Sequence, residues 1–284
     1  MNLQWFPGHM TKTRRMIEEN LKLIDVVIEL VDARIPLSSR NPQIDEIVKD
    51  KPRLLLLNKA DISDAAVNKR WEKYFADMGI EAMAISSTMG KSLGTVTDKC
   101  RELLKDKLAR DRERGIVNRP IKIMVVGVPN VGKSSFINKL SGKKSAKTGD
   151  RPGVTTGKQW IRLANGFELL DTPGILWPKF EDEQVGLKLA FTGAIRDEVI
   201  DVEELACHLL LYLRTNYPDA LAARYKMTDN DGLDGLDGYE LLQLLGRKRG
   251  FVISGGEIDT LRASSVLLDE FRGAKLGNIT LETP

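Results

Sequence analysis

Cysteine and histidine are scarce, with two of each in 284 residues. Cys100 and Cys207 lie far apart and match no metal-ligand spacing. This argues against a disulfide scaffold or a zinc ribbon and leaves two plain buried thiols, as expected in a reducing compartment. His9 and His208 are the only imidazoles available for proton chemistry. No apolar run approaches the roughly 18 residues that a membrane span needs. The opening Met1-Asn-Leu-Gln-Trp-Phe-Pro-Gly-His-Met10 lacks the apolar core of a signal peptide and the Arg/Ser richness of a transit sequence. A cytoplasmic protein without a membrane partner is therefore expected. Hydrophobic residues make up 42% and charged residues 29%, a soluble globular balance with room for one large domain or two ordinary ones.

The net charge of +3 conceals an asymmetry. Residues 179–284 carry a net charge of −7 and residues 1–178 a net charge of +10. A basic front half suits a polyanionic partner larger than one nucleotide, and nucleic acid heads that class. A merely solvated basic surface is the plainer alternative.

What the chain does contain is Gly127-Val-Pro-Asn-Val-Gly-Lys-Ser-Ser135, which fits G-x-x-x-x-G-K-[ST]. It follows the β-branched run Ile121–Val126 and precedes a helix-like stretch from Ser134 to Leu140, the strand–turn–helix context that a phosphate loop requires. Its glycines let backbone N–H groups reach a polyphosphate, and the helix N-terminus adds favourable partial charge. The expected nucleotide contacts are Asn130, Val131, Gly132, Lys133, Ser134 and Ser135. Lys133 would reach the β- and γ-phosphates, and the Ser134 hydroxyl would ligate Mg²⁺.

Taken in order, Thr11–Leu23 reads as an amphipathic helix with Lys12, Arg14 and Arg15 in its first turns. Val26–Val31 and Arg53–Leu57 read as buried parallel strands, and Glu81–Ile85 as a third. Short helices are expected near 42–49 and 64–78, and another near 92–104. The charged stretch 105–120 reads as a solvated connector. After the phosphate loop, strands near Lys158–Leu163 and Phe167–Leu170 form a hairpin around Asn165-Gly166. From about 179 strand-like runs stop, and helical patterns follow near 183–193, 201–215, 238–245 and 256–272. The fold class is α/β: a doubly wound, mainly parallel sheet over residues 1–178, with ligands at the strand C-terminal ends, followed by a small all-helical domain over 179–284.

Two of those strand ends carry chemistry. Asn58-Lys-Ala-Asp61 fits N-K-x-D. The Asp61 carboxylate can accept from both guanine N1–H and the exocyclic amine, a donor pair adenine lacks. Asn58 would brace the loop, Lys59 would lie against the base, and Ala60 is a further expected nucleotide contact. Ser86 and Ser87 would meet the base edge through backbone amides. Asp171-Thr-Pro-Gly174 fits D-x-x-G, with Asp171 holding Mg²⁺ through water and the Gly174 N–H sensing the γ-phosphate. Thr155 or Thr156 would complete the magnesium shell, the preceding Pro152-Gly153 favouring Thr155. The ligands implied are GTP or GDP with Mg²⁺.

These parts stand in rotated order, because the guanine motif precedes the phosphate loop. The chain thereby resembles the circularly permuted GTPases, and within them the ribosome biogenesis GTPase A family. The likeness runs end to end, through Trp5–Met10, Asp32-Ala-Arg-Ile-Pro36, the nucleotide motifs, Gly255–Asp259 and Gly273–Leu281. It implies GTP hydrolysis, slow alone and stimulated by the ribosomal particle. It also implies a role in assembly of the large (50S) subunit, and contact between the helical domain and ribosomal RNA; a monomer is expected. The acidity of residues 179–284 limits such contact to a local patch, for which Arg247-Lys-Arg249 is the candidate.

Ile175 occupies the position after D-x-x-G where Ras-type GTPases carry a water-orienting Gln. The resemblance favours His9, in the Pro-Gly turn before the basic helix, as the water-orienting residue, against a turn or packing role. His208, among leucines, reads as structural. Asn130 resembles the asparagine that helps bind K⁺ in related GTPases. Two other functions compete: a GTP-gated RNA-binding module without essential turnover, and a P-loop kinase or ATPase, which Asp61 argues against. Asp229-Asn-Asp231 with Glu240 mimics a calcium loop, but Leu233 and Asp234 stand where a ligand and a glycine are needed. It reads as an acidic interhelical loop.

Overall fold

The run Val-Val-Ile-Glu-Leu-Val-Asp forms β1 (Val26–Asp32), buried at all seven positions and hydrogen-bonded on both edges. Residues without a polar alternation of period two can be accommodated only where both sheet faces are covered. The structure, a computed structural model, describes residues 9–48, 51–90, 93–117, 119–142, 159–163, 166–172 and 182–284. Two compact units emerge, one carrying the sheet and the other spanning the region up to Ile279 that follows it.

In the first unit β1 pairs in parallel with β2 (Arg53–Asn58) on one side and β4 (Ile121–Gly127) on the other. β3 (Glu81–Ala84) extends the β2 edge, and β6 (Phe167–Asp171) extends the β4 edge. The outermost β5 (Gln159–Leu163) runs antiparallel to β6, giving the order β3-β2-β1-β4-β6-β5. The chain winds outward from β1 to β3, then returns to lay β4 beside β1. That reversal makes a crevice at the C-terminal ends of β1 and β4, the place where doubly wound sheets bind ligands.

Helices α1 (His9–Leu21) and α2 (Pro42–Val48) cover one sheet face, where Ile17, Ile24, Ile44 and Val48 pack with Val27, Met124, Val126 and Leu170. Trp71 and Phe75 of α3 (Ala65–Asp77) pack nearby on Val31, Leu55 and Leu57. Glu29 shares the strand parity of Val27 and Val31. Burial raises its pKa even though Arg40 (3.5 Å) and Arg53 (3.3 Å) oppose that shift. Helices α4 (Leu93–Leu103) and α6 (Lys133–Ser141) contact β2 and β4 respectively.

The stretch expected to be a solvated connector is helix α5 (Lys105–Glu113), none of whose residues is buried. Charge pins it. Asp25, at the entrance to β1, accepts from Lys107 on α5, from Arg119 (2.7 Å) and from the Lys122 amide (2.9 Å). Burial works to raise the Asp25 pKa, yet those bonds outweigh it and hold it low.

The second unit is helical throughout its regular elements: α7 (Glu183–Phe191), α8 (Val202–Asn216), α9 (Pro218–Tyr225), α10 (Gly238–Arg249) and α11 (Thr260–Arg272). Helix α8 is the hub, touching each of the other four. N-cap carboxylates start α7, α8, α10 and α11 at Asp182, Asp201, Asp237 and Asp259, satisfying otherwise orphaned backbone donors. Helix α9 was not expected from the sequence. The expected helix at 256–272 begins later, because Gly255 and Gly256 adopt φ of 92° and 82° and Val252 bridges Ile258. The calcium-like stretch is a pair of short 3₁₀ turns. Asp231 pairs with Lys248 at 2.7 Å, and Glu240 closes a capping box with Asp237. Cys100 is buried and Cys207 partly buried, and both are free.

Candidate functional site

The phosphate loop leaves β4 at Gly127 and enters α6 at Lys133. Gly127 has a φ of 154°, and a Cβ there would lie 2.5 Å from the Leu30 carbonyl oxygen of the adjacent strand. Gly132, at φ 97°, faces Asn58, whose Nδ2 would lie 2.4 Å from an added Cβ. Only glycine satisfies both the angles and the approach. Asn130 adopts φ 55° without being glycine, the kind of strain that concentrates at ligand loops. Ser134 and Ser135 occupy the first turn of α6, where backbone N–H groups lack intrahelical partners.

Lys133 turns its ammonium into this loop, donating to the carbonyls of Gly127 (3.1 Å) and Val128 (2.9 Å). Burial pulls its pKa down to about 8, against the attraction of Asp171. Asp171 ends β6, beside Val125 of β4 in the strand register. Burial pushes its carboxyl up to about 6, while Lys133 and the Thr172 amide pull the other way. Its Oδ1 is buried with no hydrogen-bond partner among the described residues. An orphaned, desolvated carboxylate oxygen beside a phosphate loop and the Ser134 position suits the water shell of a divalent cation, so these residues fit Mg²⁺.

The guanine motif ends β2. Asn58 is buried and joins three segments: its Nδ2 donates to the Val131 carbonyl at 2.7 Å, and its Oδ1 accepts from the Ser87 amide (3.0 Å) and hydroxyl (2.8 Å). Ala60 donates its amide to the Ile85 carbonyl at 3.0 Å. Asp61 keeps Oδ1 buried without a partner among the described residues, while Oδ2 accepts from Thr88 at 3.3 Å. Ser86 and Thr88 hydroxyls lie 3.1 Å apart.

Lys59 sits at φ 65°, and its Nζ meets Asp32 Oδ2 at 2.9 Å. Asp32 also takes Arg34 in a fork, Nε to Oδ1 at 2.9 Å and Nη2 to Oδ2 at 2.7 Å. Burial works to raise its pKa, but Arg34 and Lys59 overcome that and hold it well below the usual carboxylate range. This role of Asp32 was not read from the sequence. The sequence offers only the Asp32–Pro36 stretch at a strand end, and the assembled sheet sets Asp32 in register with Asn58.

The structure therefore brings Asn58, Lys59, Ala60, Asp61, Ser86 and Ser87 together with Val131 and the rest of the phosphate loop. The backbone of His9 opens α1 rather than lying in the preceding turn, and its side chain is outside the described residues. Thr155, Thr156, Gly174 and Ile175 also lie outside them. His208 is on the α8 surface, 3.9 Å from Glu204. In the candidate RNA patch, Lys248 pairs with Asp231 and Arg249 with Glu270. Among the described residues no group of three or more His, Cys, Asp or Glu could hold a metal, and no helix is long and apolar enough to cross a membrane.

A phosphate-loop turn, an N-K-x-D loop and an aspartate oxygen unpartnered among the described residues, at the C-terminal ends of β4, β2 and β6 and in rotated chain order, fit a circularly permuted P-loop GTPase. Known proteins agree. The family of 50S ribosome-binding GTPases matches residues 122–230. Proteins named ribosome biogenesis GTPase A from Bacillus cereus and Bacillus pumilus are 51% and 49% identical over all of this chain and over 95% and 99% of their own lengths. The Thermotoga maritima protein of that name is 32% identical over 99% of this chain and 95% of its own. The GNP-bound crystal structure of YlqF from T. maritima superposes with a TM-score of 0.66 at 28% identity, covering 96% of this chain and 98% of that one. A GDP-bound YlqF structure gives the same score at 29% identity, with 95% and 99% covered. The chain belongs to the ribosome biogenesis GTPase A family, and it hydrolyses GTP.

Proposed function

We propose that this GTPase acts as a timer in assembly of the large (50S) ribosomal subunit, binding the precursor with GTP and leaving it after hydrolysis. The observation that supports this most is the Asn58 junction, which ties the guanine loop to the phosphate loop through Val131 and Ser87. A site built that way senses the base and the phosphates as one unit. The family name and the match to 50S ribosome-binding GTPases supply the particle.

In the site, the Lys133 ammonium exchanges loop carbonyls for phosphate oxygens, and the open amides of α6 stabilise charge as the γ-phosphate departs. Ser134, Thr155 and, through water, Asp171 would hold Mg²⁺, which would supply positive charge to offset that of the phosphates. The Gly174 amide reports the γ-phosphate to the segment leading into the helical region, so that the GTP-binding domain, read from sequence as 1–178, switches the helical domain read as 179–284, whose last five residues pack in the sheet-bearing unit. His9 orients the attacking water, and turnover stays slow until the particle completes the site. Asn130 would help hold K⁺, which would add positive charge for the phosphate chemistry. Arg101, Lys105, Arg110, Arg112 and Arg114, all exposed, supply phosphate contacts to ribosomal RNA from the basic part of the chain. The protein acts as a cytoplasmic monomer.

Cosedimentation with purified large-subunit precursors tests this, comparing a non-hydrolysable GTP analogue with GDP. A GTP-gated RNA-binding module without essential turnover is the second reading, favoured by the same exposed arginines. Lys133→Ala separates the two. A timer loses both particle-stimulated hydrolysis and subunit maturation, whereas a module keeps maturation at nucleotide concentrations that saturate the variant.

A further inference from the structure

Thr280–Pro284 ends the chain, yet it packs in the sheet-bearing unit rather than with the helices that precede it. Six polar contacts converge on three consecutive residues. The Glu282 carboxylate accepts from the Leu37 amide at 2.8 Å, from the Ser38 amide at 3.2 Å and from the Ser38 hydroxyl. The Leu281 amide donates to the Arg34 carbonyl at 2.8 Å. Thr280 Oγ1 accepts from the Asp64 amide at 2.9 Å, and Trp71 Nε1 donates to the Glu282 carbonyl at 3.1 Å. Thr280, Leu281 and Glu282 are 2%, 4% and 9% exposed, so these are desolvated bonds, two of them charge-assisted amide contacts.

The two segments so joined flank the guanine loop. On one side the loop after β1 carries Arg34, which grips Asp32, which in turn meets Lys59. The Ala33 amide also donates to the Asn58 carbonyl at 2.8 Å. On the other side Asp64, the α3 N-cap, lies three residues beyond Asp61. Between them Lys59 occupies a left-handed conformation at φ 65°. A non-glycine residue keeps such a conformation when its surroundings over-determine it, and the tail supplies part of that determination from both flanks.

We propose that the tail is a working part of the guanine site: Glu282 and Thr280 clamp the two flanks of residues 58–61, and positioning of Lys59 for the base depends on that clamp. The proposal rests on the reading of residues 58–61 as the guanine loop. By linkage, guanine nucleotide and tail docking strengthen one another. In chain order the helical region is inserted between the segment after Asp171 and this tail, so undocking the tail is a route by which that region's partners release nucleotide.

The test is a double-mutant cycle on fluorescent GDP binding with Glu282→Ala, Lys59→Ala and the pair, at a temperature where circular dichroism shows each variant folded. Glu282→Ala is expected to weaken GDP about tenfold, mainly through faster release, and to add little once Lys59 is gone. Unchanged GDP affinity in folded Glu282→Ala, or losses that simply add, overturns the proposal. If Glu282→Ala does not fold, hydrogen exchange in the wild type decides. Protection at Leu37, Ser38 and Leu281 rises with GDP and not with ADP if the tail is coupled, and stays the same if it is not. A wild-type chain that binds ADP as well as GDP would instead sink the reading of the guanine loop.

Discussion

Asn58 reaches across 73 positions of chain to donate to the Val131 carbonyl at 2.7 Å. One buried amide thereby holds the base-reading loop against the phosphate-reading loop, and its carbonyl end fixes Ser87. The permutation leaves this junction intact because it depends on strand order in the sheet, not on order in the chain.

Asn58→Ala leaves the Val131 carbonyl and the Ser87 amide and hydroxyl without their partner. Each buried group left unsatisfied costs about 1–3 kcal/mol. Titration with fluorescent GDP is expected to show affinity down by roughly 100-fold or more, and the thermal midpoint of the nucleotide-free protein should drop as well. Loss of stability with unchanged affinity would mean the junction is structural only.

Asp61→Asn replaces one acceptor with a donor at the edge that meets the guanine N1–H and amine. Xanthine presents a carbonyl in place of that amine, so the variant is expected to prefer XDP over GDP, with roughly 100-fold loss for GDP. Competition between the two nucleotides measures it directly. Retained GDP preference would remove Asp61 from base selection.

Gly127→Ala places a Cβ 2.5 Å from the Leu30 carbonyl at a φ of 154°. Backbone cannot yield as a flexible side chain can, so β1 and β4 must separate locally. The expected loss is about 2–4 kcal/mol, read as a lowered urea midpoint in the absence of nucleotide. A midpoint within error of wild type would show that the loop has slack.

In the helical unit Glu270 accepts from Arg224 (2.9 Å), Tyr225 (2.8 Å) and Arg249 (3.2 Å). The Arg224 bond, followed by Tyr225, holds its carboxyl down to about 2, against the desolvation that raises it. A folded pKa below the ordinary 4.5 means stability is fully present above about pH 4.5 and is lost as pH falls toward 2. Glu270→Gln is therefore expected to be less stable at neutral pH and to show a flatter decline across that window in acid titrations followed by circular dichroism. An identical slope would assign the acid sensitivity elsewhere.

The strands and the motifs at their ends were legible in sequence for a physical reason. Val26–Val31 and Arg53–Leu57 are apolar without alternation, and the phosphate loop needs glycine at fixed places. Asn58 was expected to brace the loop, and its side chain bonds to Val131 and Ser87. Helix α5 was illegible because Lys105–Glu113 has no apolar stripe, its position being set by Asp25, some eighty residues earlier (Lys107 to Asp25 spans 82). Helix α9 was missed although Pro218 stands at its first turn, a usable start signal. Neither Asp32 as the partner of Lys59 nor the return of Thr280–Pro284 leaves a local trace, since Glu282 and Ser38 lie 244 positions apart. Contacts of that range are written in the sheet topology, and only the assembled sheet displays them.

The most direct test of the timer is sedimentation of the chain with large-subunit precursors through a sucrose cushion. The account predicts that it pellets with the particle in a non-hydrolysable GTP analogue and stays in the supernatant with GDP. Equal pelleting in the two nucleotides, or none in either, would contradict it.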